Sequence, residues 1–201
     1  MAKADLMNTM IETENKIEVH NLIQDRWSPR AFDSKPVEDE KLEAIFEAAR
    51  WAPSAMNEQP WRFVFATKNN PEAYEKLLSC LVEANQLWAK NAPVLILSVA
   101  KANYSNNGNR NAYAWHDTGM ATANLALQAT ELGLHLHIMG GFSADKAREV
   151  LGIPEGYEPV SMMAIGYLGD PSQLPDHLKA REVAPRNRKP LQELVFNGIW
   201  K

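Results

Sequence analysis

Residues 92–100 read APVLILSVA. This is the longest strongly apolar run in the chain, and its side chains do not alternate between polar and apolar. By composition it is a fully buried β-strand. It is also far too short to span a bilayer. Close behind it lies the longest helical segment, residues 110–133. From Met120 to Leu134 the only charge is Glu131, and alanine and leucine occur nearly all round. Such a helix is expected to be buried on most of its faces. Its small residues, Gly119, Ala121, Ala123 and Ala126, let another helix approach closely. That suits a central helix or a helix at a subunit interface.

Working outward, residues 38–51 form the clearest amphipathic helix. Leu42, Ile45, Phe46 and Ala49 stand at i, i+3, i+4 and i+7, and acidic residues crowd the first turn, where the helix dipole favours them. A helical pattern with Ile17, Leu22 and Ile23 begins at Lys16 and ends at Ser28-Pro29. Residues 61–67 read as a strand, 72–90 carry helical spacing, and SNNGN at 105–109 is a loop. LHLHIM (134–139) is a short strand closed by Gly-Gly. Ser143 is placed to cap a helix over 144–151. PVSMMAIGYL (159–168) is another strand, GDPSQLPD (169–176) a loop, and PLQELVFNGIW (190–200) a short amphipathic piece. Residues 1–14 lack periodicity and are expected to be a frayed arm, with 15–201 a single domain. Helices dominate and strands do not alternate strictly with them, which favours an α+β sheet over a doubly wound one.

The 201 residues, 45% apolar and 23% charged, suffice for one globular domain with a real core. A formal net charge of −4 argues against nucleic acid or an anionic membrane as main partner. Cys80 is the only cysteine, so neither an internal disulfide nor a cysteine-based metal knuckle is possible. The first twenty residues show no apolar core of a secretory signal, so a soluble, cytoplasmic protein is expected.

GxGxxG, GxxxxGK[ST] and GxSxG are all absent, which disfavours Rossmann, P-loop and nucleophile-elbow enzymes. His135 and His137 share a strand face and could begin a metal site, but no HExxH or cysteine cluster accompanies them. His116 and Asp117 are adjacent on the long helix and diverge by about 100°, so they are not expected to form a dyad. RWSPRAF (26–32) puts Arg26, Ser28 and Arg30 at a helix end. These are either solvated arginines suited to the dipole or an anion site made of guanidinium forks and a hydroxyl. RNRK near the C-terminus carries Arg186 and Arg188 and has the same two readings. MGGF (139–142) is either a turn needing positive φ or a close backbone approach to a ligand. Ser54, Asn57 and Gln59 crowd a loop after Pro53. Turn chemistry explains Ser54 and Asn57 individually, but not the whole set beside two basic turns and a Gly-Gly. Together these elements suit a molecule with a phosphate at one end and a planar hydrogen-bonding ring at the other.

RWSPRAF, WAPSAMNEQPWRF (51–63), MGGF with LGIPEGYEPVSMMAIGYLGDP (151–171), and RNRKPLQELV resemble, in order and spacing, the FMN-dependent nitroreductases. The resemblance runs from about residue 16 to the C-terminus. It implies an α+β nitroreductase-like fold with a central, mostly antiparallel sheet flanked by helices, and the long helix at a homodimer interface. It further implies tightly bound FMN, with Arg26, Ser28 and Arg30 on the phosphate and ribityl chain and Arg186 and Arg188 closing on the phosphate. Trp27 stands where the family often has a second arginine, leaving its backbone for the cofactor. Pro53, Ser54, Ala55 and Asn57 would approach the flavin from the partner subunit. Gly140 and Gly141 would offer N–H groups near N5 and O4. The implied activity is hydride transfer from transiently bound NADH or NADPH to FMN, then ping-pong reduction of nitroaromatics, quinones or other electron-poor acceptors. Neither a protein catalytic residue nor a metal is expected. Related chemistries on the same fold are dehydrogenation, dehalogenation and flavin fragmentation, with residues 101–112 as a candidate lid; non-catalytic flavin binding is the remaining alternative.

Overall fold

The computed structural model describes residues 18–200. The arm over residues 1–14 and the expected helix start at Lys16 and Ile17 lie outside the described residues. The elements in chain order are α1 (Asn21–Asp25), α2 (Asp39–Arg50), β1 (Trp61–Thr67), α3 (Pro71–Cys80), α4 (Glu83–Ala89), β2 (Val94–Lys101), α5 (Ala114–Glu131), β3 (His135–Met139), α6 (Ala144–Leu151), β4 (Tyr157–Gly166) and α7 (Asp176–Glu182). The fold is α+β. The four strands form one antiparallel sheet in the order β1-β2-β4-β3.

β2 lies inside the sheet and is buried from Val94 to Ala100. Its side chains alternate between two cores. Leu95, Leu97 and Val99, with Met162 and Ala164 of β4, pack against Tyr74, Leu77 and Leu78 of α3, Trp88 of α4 and Ala147 of α6. Val94 and Ile96, with Met163 and Ile165, pack against Leu42, Ile45 and Ala49 of α2 and Ala121, Leu125 and Ala129 of α5. The unbroken apolar run in the sequence is thus one strand serving two helical layers.

Local chemistry sets the boundaries. Asp39 and Glu40 occupy the first turn of α2 and Arg50 its last, both suited to the dipole. The Asn70 side chain caps α3 by accepting the Ala73 N–H at 3.2 Å, with Pro71 at the first helical position. Ser143 caps α6 by accepting the Lys146 N–H, and Gly152 ends that helix at φ +66°.

Two expectations need correction. The helical stretch 72–90 is two helices, because Leu81 and Val82 pair with Phe142 and Gly141 and draw the chain into extended geometry. The long helix begins at Ala114 rather than 110. Arg110 pairs with Asn103, and the Asn111 carboxamide oxygen accepts the Tyr113 N–H, which holds that segment in a turn. In the single chain α5 turns Ala114, Thr118, Ala121 and Leu125 inward and leaves Trp115, Gly119 and Ala123 exposed. The short amphipathic piece 190–200 contains one turn, Leu191–Glu193, and leaves Leu194, Val195, Ile199 and Trp200 exposed. Within one chain no apolar face receives it, and a short helix without tertiary packing is marginal.

Residues 31–33, which follow the arginine turn, are stitched to the segment after β4. The Asp33 N–H donates to the Tyr167 carbonyl and the Gly169 N–H to the Ala31 carbonyl, each at 2.9 Å. A Cβ on Gly169 would lie 2.5 Å from the Phe32 carbonyl carbon and 2.6 Å from its oxygen. Backbone cannot yield there without breaking the stitch. Gly169→Ala is expected to lower stability by about 1–3 kcal/mol, read as a reduced urea midpoint with an unchanged slope.

Candidate functional site

Arg26, Trp27, Ser28 and Arg30 leave α1 on a turn fixed from three sides. From β3, the His137 ring nitrogen Nδ1 donates to the Pro29 carbonyl at 2.8 Å. From the end of α7, the buried Glu182 carboxylate accepts the Arg30 N–H at 2.7 Å and the Ala31 N–H at 2.9 Å. From the C-terminal segment, the Arg186 guanidinium donates to the Arg26 carbonyl at 3.0 Å and the Gln24 carbonyl at 2.6 Å. Phe32, next in the chain, is buried and stacks on Trp88.

These contacts bring the two basic segments together around one cavity of about 260 Å³, which also takes in Arg181. Five arginines line it, and Glu182 is the only acidic side chain among the lining residues. Burial, then the neighbouring Arg188 and Arg186, lowers the Arg26 pKa. Burial and Arg181 lower that of Arg30, partly offset by Glu182. Burial and Arg188 lower that of Arg186, partly offset by Asp25. Guanidinium remains charged under such shifts, so the cavity holds mutually repelling cations that an anion would relieve. Trp27 lines the cavity and meets the His135 ring edge-on, with centroids 6.2 Å apart. His135 Nδ1 is buried with no hydrogen-bond partner among the described residues. Arg26, Ser28, Arg30, Arg186 and Arg188, from two distant basic segments, thus line one shared cavity.

β3 carries this site toward the Gly-Gly turn. Gly140 follows His137 by three residues, about 10 Å along an extended strand. Neither Gly140 nor Gly141 has positive φ, so the turn reading of this pair does not hold. Space is the local reason for Gly141: a Cβ there would meet the Asn85 Nδ2 at 2.7 Å. Its carbonyl accepts from the Val82 N–H and from Asn85 Nδ2. Among the described residues, neither glycine N–H has an acceptor.

Pro53, Ser54, Ala55 and Asn57 do not line the arginine cavity of their own chain. Their loop is strained: Met56, Asn57 and Gln59 have φ of +54°, +53° and +50°. Each non-glycine residue held there costs on the order of 1 kcal/mol. Compensating bonds surround them. The Asp117 carboxylate accepts the Ala55 N–H at 2.9 Å, and Ser54 Oγ accepts the Gln59 N–H at 3.0 Å. Glu58 accepts from the Ser105 side chain and N–H and from Lys101, which hold its carboxyl down at about 2. Glu58 thereby ties this loop to residues 101–112.

Two readings of the histidines change. His135 and His137 do share a strand face, on which His135 is buried and His137 partly buried. Burial lowers both from 6.5 to about 4. They are neutral packing and hydrogen-bonding groups under the turn, and among the described residues no group of three metal-ligating side chains forms. His116 and Asp117, expected to diverge, are in contact: His116 Nδ1 lies 3.1 Å from Asp117 Oδ1. Side-chain torsions close the gap left by the 100° between adjacent helical residues. The sequence shows Arg181 and Glu182 in the basic stretch 178–190 without placing either beside the arginine turn. The signal available was one acidic residue inside a basic stretch.

With this geometry in view, the family can be stated. The nitroreductase family profile matches residues 23–167. A crystal structure of an oxidoreductase containing FMN superposes with a TM-score of 0.89 at 43% identity, covering 94% of this chain and 96% of that one. A Desulfovibrio desulfuricans protein, assigned as a nitroreductase and solved in complex with FMN, gives 0.70 at 25% identity, covering 94% of this chain and all of that one. An Archaeoglobus fulgidus protein, provisionally named NADH dehydrogenase/NAD(P)H nitroreductase, is 30% identical over 155 residues, 74% of this chain and 84% of its own length. The chain belongs to the nitroreductase family.

The buried histidines make stability depend on pH. The unfolded chain protonates them as pH falls below 6.5, whereas the folded chain resists until about 4. Their contribution is complete above the unfolded value and is lost between the two, at most about 3 kcal/mol per ring. Urea midpoints should fall across that window, and more shallowly in His137→Gln, which keeps a donor for Pro29.

Proposed function

We propose that this chain is an NAD(P)H-dependent FMN oxidoreductase, and the observation that carries the reading is the arginine cavity. Four basic side chains from two distant segments, Arg26, Arg30, Arg186 and Arg188, converge there with Arg181 against one acidic neighbour. An FMN phosphate is the anion the cavity suits, since charge-assisted bonds to guanidinium are the strong kind. Ser28 adds a hydroxyl, and Trp27 walls the cavity with its ring against that of His135. Gly140 and Gly141 would present free N–H groups to the electron-rich edge of the ring, where they stabilise developing negative charge. FMN, when bound, supplies the chemistry that carries two electrons from a nicotinamide to an acceptor. The protein binds, orients and shields, so it needs no nucleophile of its own. We infer nitroaromatic or quinone acceptors and a ping-pong order, with nucleotide and acceptor using the same space in turn. We take residues 15–201 as one domain behind an arm over 1–14. Reduced nicotinamide is a cytoplasmic resource, which supports the same location for the protein. No helix among the described residues is long and apolar enough to cross a membrane.

A homodimer belongs to this reading. Trp115, Gly119 and Ala123 form an uncharged stripe on the outer face of α5, and the strained loop beside it exposes Met56 and Trp51. With the exposed apolar tail, these are the surfaces a second copy would cover. Pro53, Ser54, Ala55 and Asn57 would then reach the partner's flavin. In sedimentation the wild type should run at twice the chain mass, and Ala123→Glu, which places like charges across the stripe, should run as a monomer.

The test of the function is an absorption spectrum before and after anaerobic NADPH, then NADH. Flavin bands that bleach with either nucleotide support the reading. Flavin bands that persist reject the nicotinamide-dependent activity, and absence of flavin after incubation with FMN rejects the site. Arg188 and Arg186 should separate in binding. Among the described residues Arg188 bonds only the adjacent Asn187 carbonyl, so Arg188→Ala should weaken FMN about 10- to 100-fold with stability retained. Arg186→Ala should lose both affinity and stability, because Arg186 also ties down the α1 end.

A further inference from the structure

His116 and Asp117 form an arrangement that the cofactor site does not use. The Asp117 carboxylate is buried, and each of its oxygens has a partner. Oδ2 accepts the Ala55 N–H of the strained loop at 2.9 Å, and Oδ1 faces His116 Nδ1 at 3.1 Å. The His116 side chain is 68% exposed, and among the described residues its Nε2 has no partner. Asp117 is also the only carboxylate within 4 Å of the ring among the described residues. A carboxylate at Nδ1 fixes the proton there and leaves Nε2 as the working atom. This is how a buried acid orients an exposed imidazole for proton transfer. The same Asp117 holds the backbone of the loop whose residues 53–57 are assigned to the partner's flavin, and His116 flanks the outer stripe of α5 assigned to the dimer.

We propose that His116, oriented by Asp117, donates the proton that accompanies reduction of the acceptor at the subunit interface. This rests on the flavin-oxidoreductase reading above. For a quinone the balance is simple. The quinone takes a hydride, two electrons and one proton, from the reduced flavin and a second proton from Nε2–H of the His116 imidazolium, whose other proton stays on Nδ1 facing Asp117. It leaves as the hydroquinone, and the flavin is left oxidised. The neutral imidazole is then reprotonated from solvent. His116 acts on the acceptor, and Asp117 is a positioning residue.

The experiment is stopped-flow reoxidation of FMN-loaded protein reduced with dithionite, so that nicotinamide use does not enter. Two oxidants are compared: benzoquinone, whose reduction consumes protons, and ferricyanide, which takes electrons alone. His116→Ala should slow reoxidation by benzoquinone about 100-fold and leave that by ferricyanide unchanged, and free imidazole should restore part of the benzoquinone rate. An unchanged benzoquinone rate, an equal slowing of both oxidants, or no response to imidazole would overturn the proposal. A second readout needs no cofactor. In nitrogen NMR of flavin-free protein, the neutral His116 ring, identified by its absence in His116→Ala, should carry its proton on Nδ1; a proton on Nε2 rejects the arrangement. Wild type that binds no FMN would reject the cofactor reading together with this inference. Wild type that binds FMN but shows none of the His116 effects rejects this inference alone.

Discussion

The grip of Glu182 on the backbone of Arg30 and Ala31 is the constraint on which the candidate site depends. It accepts both N–H groups from inside the protein, at 2.7 and 2.9 Å. A buried carboxylate is stable only when its lone pairs are satisfied, and here the turn satisfies them. The bond spans some 150 residues of sequence and joins the end of α7 to the start of the basic turn. It also sets one negative charge among five arginines, which lowers the repulsion of assembling them while leaving a positive excess for a ligand. Remove that link and only the Arg186 bonds to the Gln24 and Arg26 carbonyls would still join the two basic segments.

The Ser54–Gln59 loop is held by different physics. It carries no basic side chain; it holds unfavourable backbone geometry, and bonds to Asp117, Ser54 Oγ, Ser105 and Lys101 over-determine its shape. Strain persists only where surroundings leave no alternative. Charge concentration at one end and backbone strain at the other both cost folding energy, and the two-sided core around β2 offsets both.

The parts of the fold legible in the sequence were those decided locally. β2, α2, α6 and the Ser143 cap follow from composition, periodicity and capping chemistry, and their boundaries agree within a residue or two. The parts that were not legible were decided by distant contacts. The break at Leu81 exists because Gly141 and Phe142 are there to pair with it. The tail from Pro190 has amphipathic spacing but no surface in its own chain on which to fold. At the site, residue types signalled an anion, but convergence did not. Nothing local in RWSPRAF says that Glu182 and Arg186 close over it. The His116–Asp117 contact was hidden for the converse reason, since helix geometry alone neglects what side-chain torsions can reach.

The histidines of β3 show how the site tolerates so much positive charge. The strand beneath the arginine turn must hold the Pro29 carbonyl and pack against Trp88, whose ring lies 4.5 Å from that of His137. A lysine or arginine could make the hydrogen bond, but it would add a buried cation beside Arg30 and Arg181. A phenylalanine could make the packing, but it would leave the carbonyl unpartnered, at about 1–3 kcal/mol. Neutral imidazole does both. Burial, with Arg30 and Arg181 adding to it, keeps the ring uncharged. The arginines that attract an anion therefore help hold the supporting histidine in the uncharged form that its place under the turn requires.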